Sequence, residues 1–334
     1  MNFRHLTGQP GFRDEMSLPP EEWVHINFED GGFGDHVARM TAVAYLVKKY
    51  PQLTVTVWCP KFFVDFARKA IPSVSWQEYS SAMSKAKMSR SMILAGSNGG
   101  ITSLRKHLVD HAFDVIVDEQ VPIEEKNYIK VDHTDVDLKK FNLPEKYIVL
   151  TTGYTTKVRE LIPSVVNEIA EYVKQNNYNV VFLGSKNATV GGKSENIAGF
   201  FSEGINYSLG LDLRDKTTVS EAHAIIANSK CIVGLDNGLL HLAGCTDRPI
   251  VMGFTTVKPE HRVPYRNNQL GWNVHTVVPN ESLGCRFCQS NMNFIYDFDF
   301  RNCYYVEKKV DNKIRCTTEA SAAPYIEYLE KIIK

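Results

Sequence analysis

The chain of 334 residues has no excess of charge of either sign: 38 lysines and arginines stand against 38 aspartates and glutamates. Proteins that hold nucleic acid mainly through its phosphates carry a basic excess. A nucleic-acid partner is therefore not favoured by charge, though a local basic face stays open. No apolar run reaches the roughly 20 residues that a spanning helix needs, so no membrane span is expected. Residues 1–22 are polar, carry Pro19-Pro20, and lack the basic start and apolar run of a signal peptide. The chain is expected to be soluble and cytoplasmic. Its seven cysteines are an odd number, which in a cytosolic chain argues against a disulfide framework. No repeat or low-complexity tract stands out. The dinucleotide fingerprint G-x-G-x-x-G is missing, which lowers an NAD-binding reading.

What is present is the composition of a folded protein, 43% apolar and 23% charged, in a length that suits two cores. Residues 23–28 read as a strand, 35–49 as a helix with Val37, Met40, Val43, Ala44 and Val47 on one face, and 54–59 as a second strand. This is a βαβ unit. A helix over 61–70, a helix near 104–111 and a short buried strand over 114–117 continue the series. Residues 139–146, with Pro144, form a junction. A second series follows: strand 147–151, helix 163–175, strand 179–184, helix 218–228 opened by the capping box Thr218-Val219-Ser220-Glu221, and strands 231–235 and 249–254 around a short helix at 239–244. The expected fold is α/β, two doubly wound Rossmann-like domains facing each other across a cleft. The boundaries are 1–143 and 144–316, with a last helix in 317–334 packing back across the junction.

Four constellations can carry chemistry. Gly31-Gly32-Phe33-Gly34-Asp35 joins a strand to a helix, where glycines allow a sharp turn and backbone N–H groups favour anions. Asp35 reads either as a helix cap or as a general base facing the cleft. Asp236-Asn237-Gly238-Leu239-Leu240-His241 leaves a strand at its carboxyl end, where open α/β sheets bind ligands. The alternative is a capped helix with a satisfied histidine. Phe254-Thr255-Thr256-Val257-Lys258-Pro259-Glu260-His261 follows the next strand, and its hydroxyls and lysine suit phosphate oxygens. Thr151-Thr152-Gly153-Tyr154-Thr155-Thr156-Lys157-Val158-Arg159 offers hydroxyls and two cations after the first strand of the second series, and reads equally as a solvated loop. His107 and His111 read as surface residues, Trp58 and Trp76 as core.

The segment from Val233 to Pro264 resembles the signature of glycosyltransferase family 9, the ADP-heptose:lipopolysaccharide heptosyltransferase-like enzymes. Asp236, Gly238 and His241 match the family's D-[ST]-G-x-x-H run; Phe254, Thr256 and Pro259 approximate its F-G-x-T-x-P loop; Gly34-Asp35 matches its G-D pair. The resemblance runs in order from Val24 to Val278. Asn237, Thr255 and Thr41 depart from the family's Ser/Thr, glycine and proline, and the lysine loop lacks a nearby Trp-Pro. The resemblance implies the GT-B fold, an N-terminal acceptor domain and a C-terminal donor domain. It also implies inverting transfer from a nucleoside-diphosphate sugar, with ADP-heptose favoured, and no catalytic metal. It makes Asp35 the base. Gly34, Thr152, Thr156, Lys157, Thr255, Thr256 and Lys258 would lie at the donor diphosphate, in a pocket shaped by Asp236, Asn237, Gly238 and His241. The acceptor hydroxyl could belong to a glycan, a protein or a modified nucleobase.

Cys285-Arg286-Phe287-Cys288, with Cys303 and Cys316, supplies four thiolates that suit a structural Zn or Fe site in a finger over 284–316. The alternative is four reduced thiols. Aromatic residues interleave this segment and could pack it, or present an acceptor or subunit surface, so a homo-oligomer is compatible. Two other function classes fit the same scaffold. One is a nucleotide-sugar epimerase or hydrolase, recognised by turnover without acceptor. The other is a metal-stabilised binding module without catalysis, recognised by indifference to Asp35→Ala.

Overall fold

The computed structural model describes residues 23–28, 32–79, 92–94, 106–152, 157–190, 193–198, 204–278, 283–290, 303 and 313–334. The first half builds a parallel sheet from β1 (Trp23–Asn27), β2 (Thr54–Cys59), β3 (Ser75–Glu78) and β4 (Met92–Leu94), in the order β3-β2-β1-β4. α1 (Phe33–Lys49), α2 (Lys61–Ala70) and α3 (Leu108–Ile116) accompany it. In β2 every residue after Thr54 is buried, because helices cover both faces of a parallel sheet. Trp58 and Trp76 are both buried, as expected.

The second half holds β5 (Tyr147–Thr151), α4 (Pro163–Gln175), β6 (Asn179–Leu183), the pair β7 (Asn187–Val190) and β8 (Lys193–Ala198), β9 (Leu211–Asp212), α5 (Val219–Asn228), β10 (Ile232–Leu235), α6 (Gly238–Ala243) and β11 (Ile250–Gly253). It ends with β12 (Tyr265–Arg266), β13 (Gln269–Leu270), β14 (Val274–Val277), α7 (Arg315–Thr318) and α8 (Ala323–Ile333). The main sheet runs β14-β11-β10-β5-β6-β9, all parallel. Numbered from β5, this is the Rossmann order, and its strand order reverses between β5 and β10. α4 starts with Pro163 at its first position, where a missing N–H does no harm. It buries Val165, Val166, Ile169, Ala170 and Val173; each of its Val and Ile side chains is worth about 1.5–3 kcal/mol. The α5 capping box is present: Glu221 accepts from the Thr218 N–H at 2.8 Å and Thr218 Oγ1 from the Glu221 N–H at 3.3 Å.

Three expectations need correction. Residues 114–117 are not a strand: Asp114 to Ile116 form the last turn of α3, and Val117 caps it. The β-branched Val-Ile-Val run suggested a strand, but Leu108, Val109, Ala112, Phe113 and Ile116 are the buried residues, and that spacing is helical. The helix lies accordingly at 108–116 rather than 104–111. α8 covers the second sheet rather than the junction, with Tyr325 and Leu329 buried in the core that α4 shares.

The two halves meet directly. The first core is continuous from Val24 in β1 through Phe66 in α2 to Ile225 in α5 and Tyr265 in β12. The amino-terminal ends of α1 and α6 touch. A Cβ at Gly34 would lie 2.5 Å from His241 Cδ2, and a Cβ at Gly238 would lie 2.7 Å from Phe33 Cδ1. Only glycine permits this approach on each side.

Candidate active site

The switch point of the second sheet places Thr151 and Thr152 at the end of β5 beside Asp236 and Asn237 at the end of β10. Asn237 caps α6, accepting from Leu239 N–H at 2.9 Å and Leu240 N–H at 3.3 Å, while its Nδ2 donates to Thr151 Oγ1 at 2.9 Å. An amide can cap and donate at once, so the departure from Ser or Thr here ties the two strand ends together.

Asp236 is 6% exposed. His241 Nε2 lies 3.3 Å from its Oδ1, and Arg159 Nη1 and Arg262 Nε lie 3.5 and 3.6 Å from its Oδ2. Burial alone would raise the carboxyl's pKa. The Arg159 charge, the His241 hydrogen bond and the Arg262 charge overcome it and hold Asp236 well below the usual carboxylate range. His241 Nδ1 faces the Tyr128 hydroxyl at 3.0 Å. With Nε2–H donating to the carboxylate, Nδ1 is the acceptor for that hydroxyl. Burial raises the Tyr128 pKa, so the phenol keeps the proton it donates. Asp236, His241 and Tyr128 form one buried line from the second sheet to the connecting segment.

Asp35 sits on the other side of this contact. It is not the residue that opens α1: Gly32 precedes the helix, and Asp35 Oδ2 accepts from the Gly32 N–H at 2.6 Å. This is the back-reaching half of a capping box. Burial raises its pKa, but Arg39, Arg262, the Gly32 hydrogen bond and His36 together lower it. Asp35 is thus an ionised carboxylate next to Gly34, which itself touches His241. His36 stacks on Phe28 with ring centroids 5.8 Å apart. Burial, then the Arg39 charge, push its pKa down to about 3, against the opposing effect of Asp35.

The other expected donor residues are placed differently. Thr255 Oγ1 donates to Val158 O at 2.6 Å, and Thr256 Oγ1 donates to Gln289 Oε1 at 2.8 Å. A hydroxyl has one proton to donate, so both side chains brace loops as they stand. The exposed Lys258 ammonium lies 3.7 Å from Glu260. Thr152 is buried at the end of β5. Thr156 lies outside the described residues, and of Lys157 only the backbone, opening a 3₁₀ turn over Lys157–Arg159, is described. The cations that converge are Arg159 and Arg262. Arg159 ends the threonine-rich loop 151–159, in which the family resemblance points to Lys157 instead; Arg262 lies one residue beyond the loop 254–261. His107 is not a surface residue. It is 5% exposed, accepts from the Val109 N–H at 3.1 Å and reaches Val263 O at 2.9 Å.

Cys285, Cys288, Cys303 and Cys316 are all half-buried. Burial, then the charges of Cys285 and Cys303, push the Cys288 pKa up to about 12; burial, then the other three thiols, push Cys316 up as well. The four therefore lie within electrostatic reach of one another. Among the described residues, no three His, Cys, Asp or Glu side chains are gathered as a metal-binding group. A cavity of about 360 Å³ separates α7 and α8 from the sheet edge, with Glu160, Leu235, Thr255, Val277, Cys316 and Tyr325 in its wall.

Two Rossmann-ordered α/β units, joined through the amino ends of facing helices with an ionised aspartate on one side and an arginine-flanked aspartate on the other, define a protein of the GT-B class. The profile of glycosyltransferase family 9 (heptosyltransferase) matches residues 63–288, and the chain belongs to that family. No curated protein matches it. Among solved structures it is similar to the iron-containing dodecameric glycosyltransferase TibC of enterotoxigenic Escherichia coli H10407, with TM-score 0.67 and 16% identity over 92% of this chain and 76% of that one. TibC has also been solved in complex with ADP-D-β-D-heptose. A family 9 glycosyltransferase of Veillonella parvula DSM 2008 gives TM-score 0.67 and 12% identity over 95% and 98%. The E. coli ADP-heptose lipopolysaccharide heptosyltransferase II gives 0.57 and 13% over 93% and 98%. No helix among the described residues is long and apolar enough to cross a membrane.

Proposed function

We propose that the chain is an inverting glycosyltransferase that moves a heptose-like sugar from an ADP-sugar to an acceptor hydroxyl. The observation that carries this reading is the meeting of Asp35 with the Arg159–Asp236–Arg262 cluster at the contact of α1 and α6. Around that point Asp35 and Asp236 face three guanidiniums, those of Arg39, Arg159 and Arg262. Guanidiniums gathered at a strand end suit the recognition of an anion, which a diphosphate supplies. In the reaction the Asp35 carboxylate takes the acceptor proton as the acceptor oxygen bonds to the anomeric carbon. The bond from that carbon to the diphosphate breaks on the opposite face, which inverts the centre. Arg159 and Arg262 hold the charge that grows on the leaving phosphate. ADP-heptose is favoured because TibC binds it and because of the family to which the chain belongs.

We read Cys285, Cys288, Cys303 and Cys316 as the ligands of a structural zinc or iron ion. The donor chemistry fits: burial and the neighbouring thiols push the Cys288 and Cys316 pKa values up, and a cation held by the four cysteines would favour the thiolate forms instead. When bound, the ion would cross-link the segment that carries these cysteines. An acceptor, whether glycan, protein or nucleobase, would enter from the Asp35 side.

The test is a screen of ADP-, UDP-, GDP-, CDP- and dTDP-linked sugars by thermal shift, followed by product analysis with acceptor and elemental analysis of the purified chain. The reading expects ADP-sugars to raise Tm and sugar to appear on acceptor. Release of free sugar with no transfer to any acceptor would instead mark a hydrolase.

A further inference from the structure

The segment that carries the C-x-x-C pair does more than supply thiols. Residues 287–290 run alongside residues 255–258 of the loop after β11. The Phe287 N–H donates to Thr255 O at 3.2 Å, the Gln289 N–H to Thr256 O at 2.9 Å, and the Lys258 N–H to Ser290 Oγ at 3.0 Å. Gln289, next to Cys288, is 2% exposed. Its Oε1 accepts twice: from Thr256 Oγ1 at 2.8 Å and from Arg159 Nη2 at 3.3 Å. Arg159 presents its other terminal nitrogen, Nη1, to Asp236 at 3.5 Å. One end of the guanidinium is thus held by the knuckle segment and the other by the carboxylate of the cluster.

We propose that Gln289 is a positioning residue that ties the cysteine knuckle to the donor pocket, so that the order of the knuckle sets the pocket's affinity for a nucleoside diphosphate. This rests on the reading of the Asp236 cluster as the diphosphate site. The physical reason is orientation. An arginine side chain has many rotamers, and its fork recognises phosphate in one plane. Gln289 removes that freedom before the ligand arrives, so binding need not. It also accepts the Thr256 hydroxyl's hydrogen bond, which leaves that oxygen free to act only as an acceptor toward other groups and sets the path of the loop. Gln289 touches no reacting atom and acts through Arg159, which holds the diphosphate both before and during transfer, so its loss falls mainly on donor binding and only weakly on the chemical step.

The experiment is a double-mutant cycle on the full chain, with ADP as the probe and its Kd read by calorimetry. The variants are Gln289→Met, Cys285→Ser and the double. Methionine keeps the volume and removes the shared acceptor. The expected result is a Kd about tenfold higher for Gln289→Met, the weight of one or two lost hydrogen bonds to a charged and a hydroxyl donor. Cys285→Ser should weaken ADP as well, and the double should bind no worse than Gln289→Met alone, because the connection is already cut. In turnover, the donor KM should rise while kcat stays within a few-fold. If Gln289→Met does not fold, Gln289→Asn, one methylene too short to reach both donors, takes its place with the same expectation.

Gln289→Met binding ADP as tightly as the parent would overturn the proposal, as would a double variant that shows the full sum of the two losses. A parent chain that binds no ADP, UDP or other nucleoside diphosphate would sink the donor-site reading itself. A parent that binds ADP and a Gln289 variant that binds it equally sinks only the coupling.

Discussion

Arg262→Met removes a cation that acts on both carboxylates of the site. Arg262 is 5% exposed, lies 3.6 Å from Asp236 Oδ2 and lowers the pKa of Asp35. For donor binding, losing one buried charged hydrogen-bonding partner of the diphosphate is worth about 1.5–3 kcal/mol, or about 10- to 150-fold in Kd. Folding should suffer less than when a buried pair is broken outright, because Arg159 and His241 still face Asp236. The second effect is on pH. The pKa of Asp35, the proposed base, is depressed in the folded chain, so on that reading it is competent above the depressed value and silenced as pH falls through it. Without Arg262 the value moves up, and the acid limb of the pH–rate profile moves with it. Asp236 follows the same rule for stability: its contribution is present above the unfolded carboxyl pKa and lost as pH falls through the depressed folded value. In the variant the folded value lies closer to the unfolded one, so the contribution is smaller and is fully lost at a higher pH. Calorimetry with ADP, a pH series of initial rates and acid denaturation monitored by circular dichroism read the three effects separately. Unchanged ADP affinity together with an unmoved acid limb would refute the placement of Arg262 between the two carboxylates.

Asp35→Asn keeps an oxygen that can accept from Gly32 N–H but removes the base, so transfer should fall about 10²–10⁴-fold while ADP still binds; a rate within a few-fold of the parent would exclude Asp35 as base. Gly34→Ala puts a Cβ 2.5 Å from His241 Cδ2, so urea melts should show about 1–3 kcal/mol of lost stability, whereas an unchanged midpoint would mean the helices do not meet as described. His223 and His107 have pKa values pushed down to about 4, in each case chiefly by burial. Groups with depressed folded pKa lose their stabilising contribution as pH falls, here from the unfolded value of about 6.5 toward 4. Urea midpoints should therefore drop across that window, and His223→Gln should flatten the drop; an identical slope in the variant would show that His223 does not titrate there.

The periodic parts of the fold were legible because burial leaves a period in the sequence. Val166, Ile169, Ala170 and Val173 announced α4, and the Thr218–Glu221 box announced α5. Residues 114–117 misled because Val115, Ile116 and Val117 are β-branched, and local preference was outweighed by a helical face extending from Leu108. The strand order of the second sheet could not be read at all, since pairing between β5 and β10 joins residues some 80 positions apart. Aspartate and histidine of the cluster were legible from their place after a strand. Its arginines were not selected, because a cation in a loop looks the same whether it faces solvent or a buried carboxylate. The only available signal was that Arg159 and Arg262 each follow a strand whose neighbours carry the other site residues. Gln289 gave no signal, since its role exists only once two distant loops lie side by side.

The D-x-G-x-x-H run acquires a physical meaning from these contacts that a phosphate-binding role alone does not provide. Gly238 is pressed against Phe33 of α1, His241 against Gly34, and His241 also links Asp236 to Tyr128 of the connecting segment. Aspartate, glycine and histidine at that spacing therefore do two things at once: the aspartate gathers Arg159 and Arg262, and the glycine and histidine dock that cluster onto the helix that carries Asp35. Placing the base and the donor cations correctly demands that the two halves meet within a fraction of an ångström. A glycine on each side of the contact, Gly34 against His241 and Gly238 against Phe33, achieves that without any long flexible side chain at the point of closest approach. Substitutions in the run should accordingly disturb base placement and donor binding together, whereas those at Gln289 should act chiefly on donor binding through Arg159.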